Sequence, residues 1–428
     1  MLHWSGLEDE VTRQHNQAGF RGERIGMAIN PSRLFLMSCI ALVVTSMTFA
    51  IRAGILNDLS VSFGLSNTEL GWINSMAFLG FPVAMLVGGF AYNQVGARNL
   101  MIIAFVGHLA GLLLTIFANG FWLLIISTFC IGFANGAVEA ACNPLIAEMY
   151  RDNKTTMLNK FHVWFPGGIV IGSLVAQFFG GIGWQGLIAT MLLPTAIYGF
   201  MIFTTKFPET QSGWGATTGN VKAMLSPLFL VMLVLMTMTA TTELGTTQWI
   251  NQILAGTGAS PMLILALVTG VMAVGRFFAG PVVHRLNPIG VLLASAVIST
   301  LGLFLLSQAN GAAAYVAAVV FALGVCYFWP TMIGVIGEYQ PKTGALGLSL
   351  IGGAGMFGVS LWMPIIGGWL DAAKDQALTT GSSGAAADLV AGQAVLERIT
   401  VFPAILIVAF AILYFARPKR QQEEPVAA

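Results

Sequence analysis

The chain has 428 residues, of which 56% are hydrophobic and only 9% are charged, and its mean hydropathy is +0.80. A soluble domain carries about 25% charged residues, so this composition excludes a water-soluble globular protein. The formal net charge of +1 argues against a nucleic-acid partner.

Twelve apolar runs are long enough to cross a bilayer, whose hydrocarbon core needs about 20 residues per helix. In the first half they lie near 34–58, 70–92, 99–117, 121–149, 161–182 and 185–205. In the second half they lie near 224–250, 260–283, 288–308, 311–338, 345–370 and 396–416. The predicted organisation is a tail at 1–33, a six-helix bundle at 34–205, a linker at 206–222, a second bundle at 223–416 and a tail at 417–428.

Basic residues give the orientation, since cytoplasmic loops of membrane proteins collect Lys and Arg. With the amino terminus inside, only Arg52, Lys374 and Arg398 fall outside the cytoplasmic segments. Because the number of spans is even, both termini are predicted to be cytoplasmic. The apolar surface of the spans predicts the lipid bilayer as a partner.

The first helix carries three polar residues late in its span, Arg52, Asn57 and Asp58. Charges at the bilayer centre are costly and are the first place to look for function. Asn57 and Asp58 fit either a solvated helix end or a site. Arg52 fits a structural counter-ion for Asp58 or Glu139, and it also fits a binding group for an anionic solute.

Helix 4 carries Asn135, Glu139 and Asn143 at spacings of four residues, which places them on one face as a polar stripe. Glu139 precedes Tyr150, at the cytoplasmic end, by roughly 16 Å of helix and so lies near the midplane. The stripe indicates a functional carboxylate rather than a single helix contact. His162 begins helix 5 near the boundary, where helix packing is favoured, although histidine can titrate near neutral pH.

In helix 7, Gly245 among threonines predicts an interruption, so Glu243 and Gln248 are expected to line the pathway. Three aromatic residues could stack on a sugar ring, although anchoring or packing is the commoner role: Trp249, Tyr327 and Trp329. Charges at cytoplasmic helix ends are expected to form a network that latches the inner gate: Arg98, Glu148, Arg276 and Glu338.

The two halves share a pattern that predicts an internal repeat. Helix 4 ends in Asn143-Pro144 and is followed by Lys154-Thr155, while helix 10 contains Trp329-Pro330 and is followed by Lys342-Thr343. Secondary carriers are built from such repeats, with the solute site at the midplane between them. The expected fold is all-α, with two six-helix bundles related by a pseudo-twofold axis.

The segment 89–98, Gly-Phe-Ala-Tyr-Asn-Gln-Val-Gly-Ala-Arg, resembles the signature of the major facilitator superfamily between helices 2 and 3. Within that superfamily the chain resembles the fucose/galactose/glucose–proton symporter branch. Three segments carry this resemblance: Leu56-Asn57-Asp58, the run from Val138 to Pro144, and Phe328-Trp329-Pro330-Thr331.

The resemblance implies that Asp58 and Glu139 take part in solute binding and proton coupling, and it implies a plasma (bacterial inner) membrane location. Phe165 replaces a polar residue of the family and Arg52 replaces a small or apolar one, which leaves the particular sugar open and admits a sugar acid or other anion. Some relatives use sodium, so the coupling ion is a proton or sodium.

The sequence therefore predicts a monomeric secondary transporter that moves a small solute by cation-coupled symport and alternating access, with no further cofactor. An efflux antiporter of amphipathic compounds and a non-transporting sensor remain alternatives. The segment Pro166-Gly167-Gly168 matches the antiporter motif only in part. No nucleotide loop, metal cluster or nucleophile–base pair indicates an enzyme. The segment 371–395 is expected to be a long external loop, containing a short helix or forming a flexible lid.

Overall fold

The computed structural model describes residues 29–150, 154–208 and 218–416. Most of the predicted amino-terminal tail (1–28), the middle of the predicted linker (209–217) and the predicted carboxy-terminal tail (417–428) lie outside the described residues. The proposed limits of the bundles and tails therefore stay predictions.

The first bundle consists of six helices. They are α1 (Pro31–Phe63), α2 (Asn67–Tyr92), α3 (Gln94–Ile116), α4 (Phe121–Met149), α5 (Trp164–Phe179) and α6 (Gly183–Ala189 continued by Leu192–Thr204). A short helix, Lys154–His162, precedes α5. Gly96, with φ 78°, makes the turn between α2 and α3, a backbone conformation that glycine adopts without strain.

The second bundle has the same number of helices. They are α7 (Pro227–Gln248), α8 (Pro261–Phe277), α9 (Arg285–Gln308), α10 (Ala312–Tyr339), α11 (Gly344–Thr379) and α12 (Ala385–Ala416). A turn of π-helix at Thr241–Gly245 interrupts α7, which is extended by Ile250–Ile253, and α10 breaks between Val325 and Phe328. The predicted interruption beside Gly245 is present as this π-turn.

Twelve crossings follow from these helices. Among the described residues, ten helices are long and apolar enough to cross a membrane, and Pro261–Phe277 is a shorter apolar helix. One of the ten, Lys160–Thr204, doubles back at Gly180–Ile182: Trp184 donates a hydrogen bond to Ser62 near the end of α1, whereas Thr204 accepts one from Arg33 near its start. The predicted all-helical fold with twelve spans is confirmed.

Two faces of the molecule are distinguished below. The tail face is the one where α1 begins at Pro31 and where Thr204 of α6 lies. The far face is the one where α1 ends at Phe63 and where α5 turns into α6.

The expectation of a long loop at 371–395 is wrong. α11 continues to Thr379 and α12 starts at Ala385, so only 380–384 connects them. Hydropathy shows which part of a helix is apolar, but it does not show where the backbone hydrogen bonds of the helix end. The alanine-rich segment continues both helices beyond the apolar runs. Lys374 and Asp388 form an ion pair of 2.7 Å across this helical hairpin.

The two bundles pack against each other through three helix pairs: α1 with α7, α2 with α11, and α5 with α8. Polar contacts between the bundles lie in the half near the far face. Asn251 donates to the Gly54 carbonyl at 2.7 Å, and Ser75 donates to the Ser360 carbonyl at 2.7 Å. The far face is therefore closed in this conformation.

The α2–α11 contact is close enough to require glycine. A Cβ atom on Gly71 would lie 2.5 Å from the Cα atom of Pro364, and a Cβ atom on Gly367 would clash with the Asn67 carbonyl. Small residues allow helix backbones to approach in a membrane, where packing rather than the hydrophobic effect drives association. This close approach of α2 and α11 supports the conclusion that the far face is closed.

Candidate functional site

The clearest candidate site is a polar cluster around Glu139, in the half of α4 nearer the tail face. Asn143, one turn later, donates from Nδ2 to Glu139 Oε2 at 2.7 Å. Pro144 has no N–H, so the Ala140 carbonyl receives no helical hydrogen bond from that position. The Glu139 side chain is 8% exposed. The centre of the cluster is therefore a nearly buried carboxylate that accepts a hydrogen bond from a side-chain amide.

His162 joins this cluster from the end of the short helix before α5. Its Nε2 lies 3.1 Å from Asn143 Oδ1, and its Nδ1 lies 4.0 Å from Glu139 Oε1. Because an amide oxygen only accepts hydrogen bonds, Nε2 carries the proton in the neutral ring and Nδ1 remains free to take another. The His162 side chain is 46% exposed, whereas that of Glu139 is 8% exposed, so His162 lies on the solvent side of the cluster. The packing role and the titrating role of His162 both stay predictions.

Asn135 does not share the environment of Glu139. Its Oδ1 lies 2.8 Å from His108 Nε2, and its Nδ2 donates to Thr48 at 3.0 Å. His108 is in turn 2.8 Å from the hydroxyl of Tyr198. The predicted stripe therefore divides: Asn135 belongs to a fully buried network that joins α1, α3, α4 and α6, while Glu139 and Asn143 face His162.

A second buried carboxylate, Glu243, lies in the π-turn of α7. Its Oε1 is 3.4 Å from Arg276 Nη2, and its Oε2 has no hydrogen-bond partner among the described residues. Arg276 also donates from Nε to the Cys326 carbonyl at 2.9 Å, at the break of α10. Arg276 lies in the last turn of α8, so it is at a helix end as the sequence predicts, and its long side chain reaches the carbonyl at the break of α10. Its gating role stays a prediction.

Arg52 bridges the two bundles. Its Nη2 donates to Gln248 Oε1 at 2.9 Å, and Gln248 Nε2 donates back to the Phe49 carbonyl at 3.2 Å. The guanidinium carbon lies 5.1 Å from the centre of the Phe49 ring and 5.5 Å from that of Phe78. Cation–π contacts of this kind are favourable when the cation is removed from water. The two predicted pathway residues, Arg52 and Gln248, are thus partners.

Asn57 and Asp58 are both exposed, close to the far-face end of α1. Asn57 accepts a hydrogen bond from Gln252 of the α7 extension at 3.2 Å. Arg52 does not form an ion pair with Asp58 or with Glu139 among the described residues. Asp58 lies further along α1 than Arg52, toward the far face. Its role stays a prediction.

The three aromatic candidates have different surroundings. Trp249 is completely buried at the interruption of α7, and its indole Nε1 has no hydrogen-bond partner in the part of the chain that the structure describes. Tyr327 donates its hydroxyl to the Gly275 carbonyl at 2.9 Å, which indicates packing within the second bundle. Trp329 is half-buried against Gly355 of α11. Of the three, Trp329 is best placed to present a ring face.

The remaining predicted gate residues lie near the tail face. Arg98 follows the Gly96 turn and is exposed, and Glu338 is exposed near the end of α10. Glu148 accepts a hydrogen bond from Tyr92 at 3.2 Å. The gating role of these three residues stays a prediction.

Sequence reasoning missed Asp371. This carboxylate, on α11, accepts four hydrogen bonds from the first turn of α2: from the backbone N–H groups of Asn67 and Thr68 and from both side chains, at 2.6 to 3.0 Å. The residue was assigned to a loop, which removed it from consideration. The available signal was an acidic residue directly after an apolar helix, opposite a helix that begins Ser66-Asn67-Thr68.

Two relatives share segments of the sequence. The protein named solute carrier family 2, facilitated glucose transporter member 10, from Xenopus laevis is 26% identical over 174 residues, which cover 40% of this chain and 32% of the relative. The cis,cis-muconate transport protein of Acinetobacter baylyi is 25% identical over 179 residues, which cover 41% of this chain and 43% of that protein. The chain thus matches less than half the length of either relative.

The fold is shared much more widely. The crystal structure of a D-xylose-proton symporter matches with a TM-score of 0.72 and 14% identity, covering 90% of this chain and 97% of that one. The sequence profile described as Major Facilitator Superfamily matches residues 36–362. The long apolar helices of the described residues, the shared fold and the profile lead to one conclusion: the chain is an integral, multi-pass membrane protein that belongs to the Major Facilitator Superfamily.

Proposed function

We propose that this transporter is a cation-coupled symporter of a sugar or sugar-like solute, of the fucose/galactose/glucose–proton symporter type. It works by alternating access as a monomer in the plasma (bacterial inner) membrane, with both termini in the cytoplasm. The tail face is then cytoplasmic, and the far face, which is closed in this conformation, is external. The single observation that carries the proposal is the Glu139–Asn143–His162 cluster.

The surroundings of Glu139 favour a proton over sodium as the coupling ion. The groups nearest its carboxylate present nitrogen atoms, Asn143 Nδ2 and His162 Nδ1. Hard metal cations are held by several oxygen ligands, whereas a proton needs one carboxylate oxygen. In the protonated form Glu139 is neutral and its burial is cheaper, so protonation from outside would accompany solute binding.

Release of the proton would follow on the cytoplasmic side. In the far-face-closed conformation, His162 lies between Glu139 and solvent and can accept the proton at Nδ1. The resulting imidazolium would pair with the Glu139 carboxylate until it loses its proton to the cytoplasm. Solute and proton then leave from the same side, as symport requires.

A second solute class, an organic anion such as a sugar acid, is supported by Arg52, which is buried among neutral groups. The relative named for cis,cis-muconate transport is compatible with this class. Both classes can be moved by the same proton-coupled cycle.

The test is Glu139→Gln in proteoliposomes, with uptake driven by a pH gradient in the presence and absence of sodium. The variant should lose accumulation against a gradient but retain solute counterflow, which needs binding and alternating access without net proton movement. Asp388→Asn, which removes a carboxylate in the far-face hairpin, is the matched control and should accumulate solute normally. Normal accumulation by Glu139→Gln would contradict the coupling role.

A further inference from the structure

We propose that Arg52 is the binding group for a carboxylate on the transported solute, which is therefore a monoanionic, hydroxyl-bearing molecule such as a hexuronate. This inference rests on the proposed function, since it names the solute class of that symporter. It starts from the surroundings of Arg52, which is 6% exposed and lies well inside α1.

The immediate partners of Arg52 are electrically neutral. They are the amide oxygen of Gln248 and the faces of Phe49 and Phe78. Among the described residues, Glu243 lies beside Arg276, Glu139 beside His162 and Asp388 beside Lys374, and none of these carboxylates is paired with Arg52. Within the described ranges, the Arg52 Nε also has no hydrogen-bond partner.

Such a cation is expensive to keep inside a membrane protein. A guanidinium does not escape the cost by losing its proton, and a buried charge without a counter-ion destabilises the fold. Charged residues within spans usually pair with one another or mark a solute pathway. Because the described part of the chain supplies no acidic partner, an anionic solute is the partner that the transport cycle can supply.

The position of Gln248 explains how the solute would be exchanged. Arg52 belongs to the first bundle and Gln248 to the second, in the half of the interface that must separate when the far face opens. Separation removes the amide acceptor and leaves the guanidinium between two aromatic rings, ready for a carboxylate that can accept two parallel hydrogen bonds. When the far face closes, Gln248 returns, competes for Arg52 and favours release toward the tail face.

Charge sets a further property of the solute. One carboxylate neutralises Arg52, and one proton neutralises Glu139, so a monoanion moving with one proton carries no net charge across the membrane. A neutral sugar moving with one proton would carry one positive charge. Uptake of the proposed solute is therefore insensitive to membrane potential, which separates the two solute classes without knowledge of the exact sugar.

The binding test uses matched ligand pairs that differ by oxidation at one carbon: D-glucuronate with D-glucose, and D-galacturonate with D-galactose. At least one uronate should raise the thermal unfolding temperature of the purified full chain, and the matching hexose should not. Arg52→Gln should raise the half-saturating uronate concentration by at least about tenfold, because removal of a hydrogen-bonded charge partner weakens binding by this amount. Arg398→Gln, which removes another guanidinium that lies over an aromatic ring, is the control and should respond as the unaltered chain does.

Gln248→Ala keeps the proposal testable if Arg52→Gln fails to fold. Removal of the competing amide should leave uronate binding as tight or tighter, whereas a purely structural Arg52–Gln248 contact would give lower stability without any gain in affinity. The proposal is overturned by a hexose that binds as well as its uronate, by full uronate binding in Arg52→Gln, or by no response to either uronate.

Transport separates this inference from the proposed function. In proteoliposomes with a valinomycin-imposed potassium potential and a fixed pH gradient, uronate uptake should not change with potential. Potential-driven uptake of a neutral hexose that depends on Glu139 would overturn the Arg52 assignment while supporting proton-coupled symport. Uronate uptake unaffected by Glu139→Gln would instead support the Arg52 assignment and contradict the coupling.

Discussion

Asp371 of α11 caps the first turn of α2 through Thr68: its Oδ2 accepts the Thr68 backbone N–H at 2.8 Å and the Thr68 hydroxyl at 2.6 Å. The carboxylate belongs to the second bundle and the helix start to the first. A negative group at a helix N-terminus is favourable because it satisfies free N–H groups and complements the helix dipole. This contact stabilises the far-face-closed conformation and has to break when the far face opens.

Asp371→Ala should therefore shift the equilibrium toward the far-face-open conformation by about tenfold, since loss of a helix cap is worth about 1 kcal/mol or more. The measurement is the rate of thiol labelling at Ser360→Cys, a position buried in the α2–α11 contact. Asp371→Ala without the added cysteine reports the labelling of the four native cysteines.

Asp375→Ala is the matched control for this experiment, because Asp375 lies one turn further along α11 and is exposed. Its labelling rate at Ser360→Cys should equal that of the unaltered chain. Equal labelling rates in Asp371→Ala and Asp375→Ala would show that the cap does not hold the far face closed.

His162→Gln should slow proton-coupled net uptake while leaving solute counterflow, which moves no net proton, close to that of the unaltered chain. The reason is that a glutamine amide cannot accept a proton from Glu139 and pass it to solvent, as an imidazole nitrogen can. The measurement is the ratio of net uptake to counterflow in proteoliposomes.

Lys160→Gln controls for the loss of a positive charge in the same short helix, on an exposed side chain. It should keep the ratio of net uptake to counterflow of the unaltered chain. Equal losses of net uptake and counterflow in His162→Gln would indicate a packing role for His162 instead.

Glu243 and Arg276 should depend on each other for stability. Arg276→Met removes the counter-ion of a carboxylate that is 9% exposed and also the donor to the Cys326 carbonyl, which we expect to destabilise the protein by up to about 3 kcal/mol. The double variant Glu243→Gln/Arg276→Met should recover part of the loss, because no buried charge remains. Thermal unfolding in detergent measures both, and additive effects of the two substitutions would argue against the pairing.

The sequence predicts the helices better than the contacts between them. The apolar runs of the sequence predict the membrane-spanning helices, because each such helix must be apolar over about 20 residues. The same measure ended α11 near residue 370 because polar residues begin there, although the backbone continues as a helix to Thr379. A helix end is determined by hydrogen bonding and capping, which composition only partly reflects.

The candidate site shows the same limit. Spacing placed Asn135, Glu139 and Asn143 on one helix, but their partners come from α1, α3 and the segment before α5, and no local pattern specifies those contacts. The position of Arg276 at the end of α8 did not predict that its long side chain reaches Glu243 and the Cys326 carbonyl. Resemblance directed attention to Glu139, while the Arg52–Gln248 partnership required the two bundles to be seen together.

The helical hairpin formed by the ends of α11 and α12 also has a practical consequence. A carrier of 45.4 kDa with little mass outside the lipid gives few features for aligning particle images in electron cryomicroscopy. This hairpin is continuous with two membrane helices and is pinned by the Lys374–Asp388 ion pair. A Fab fragment or fused protein attached at 380–384 would therefore follow the second bundle rigidly and serve as a reference for imaging its rotation.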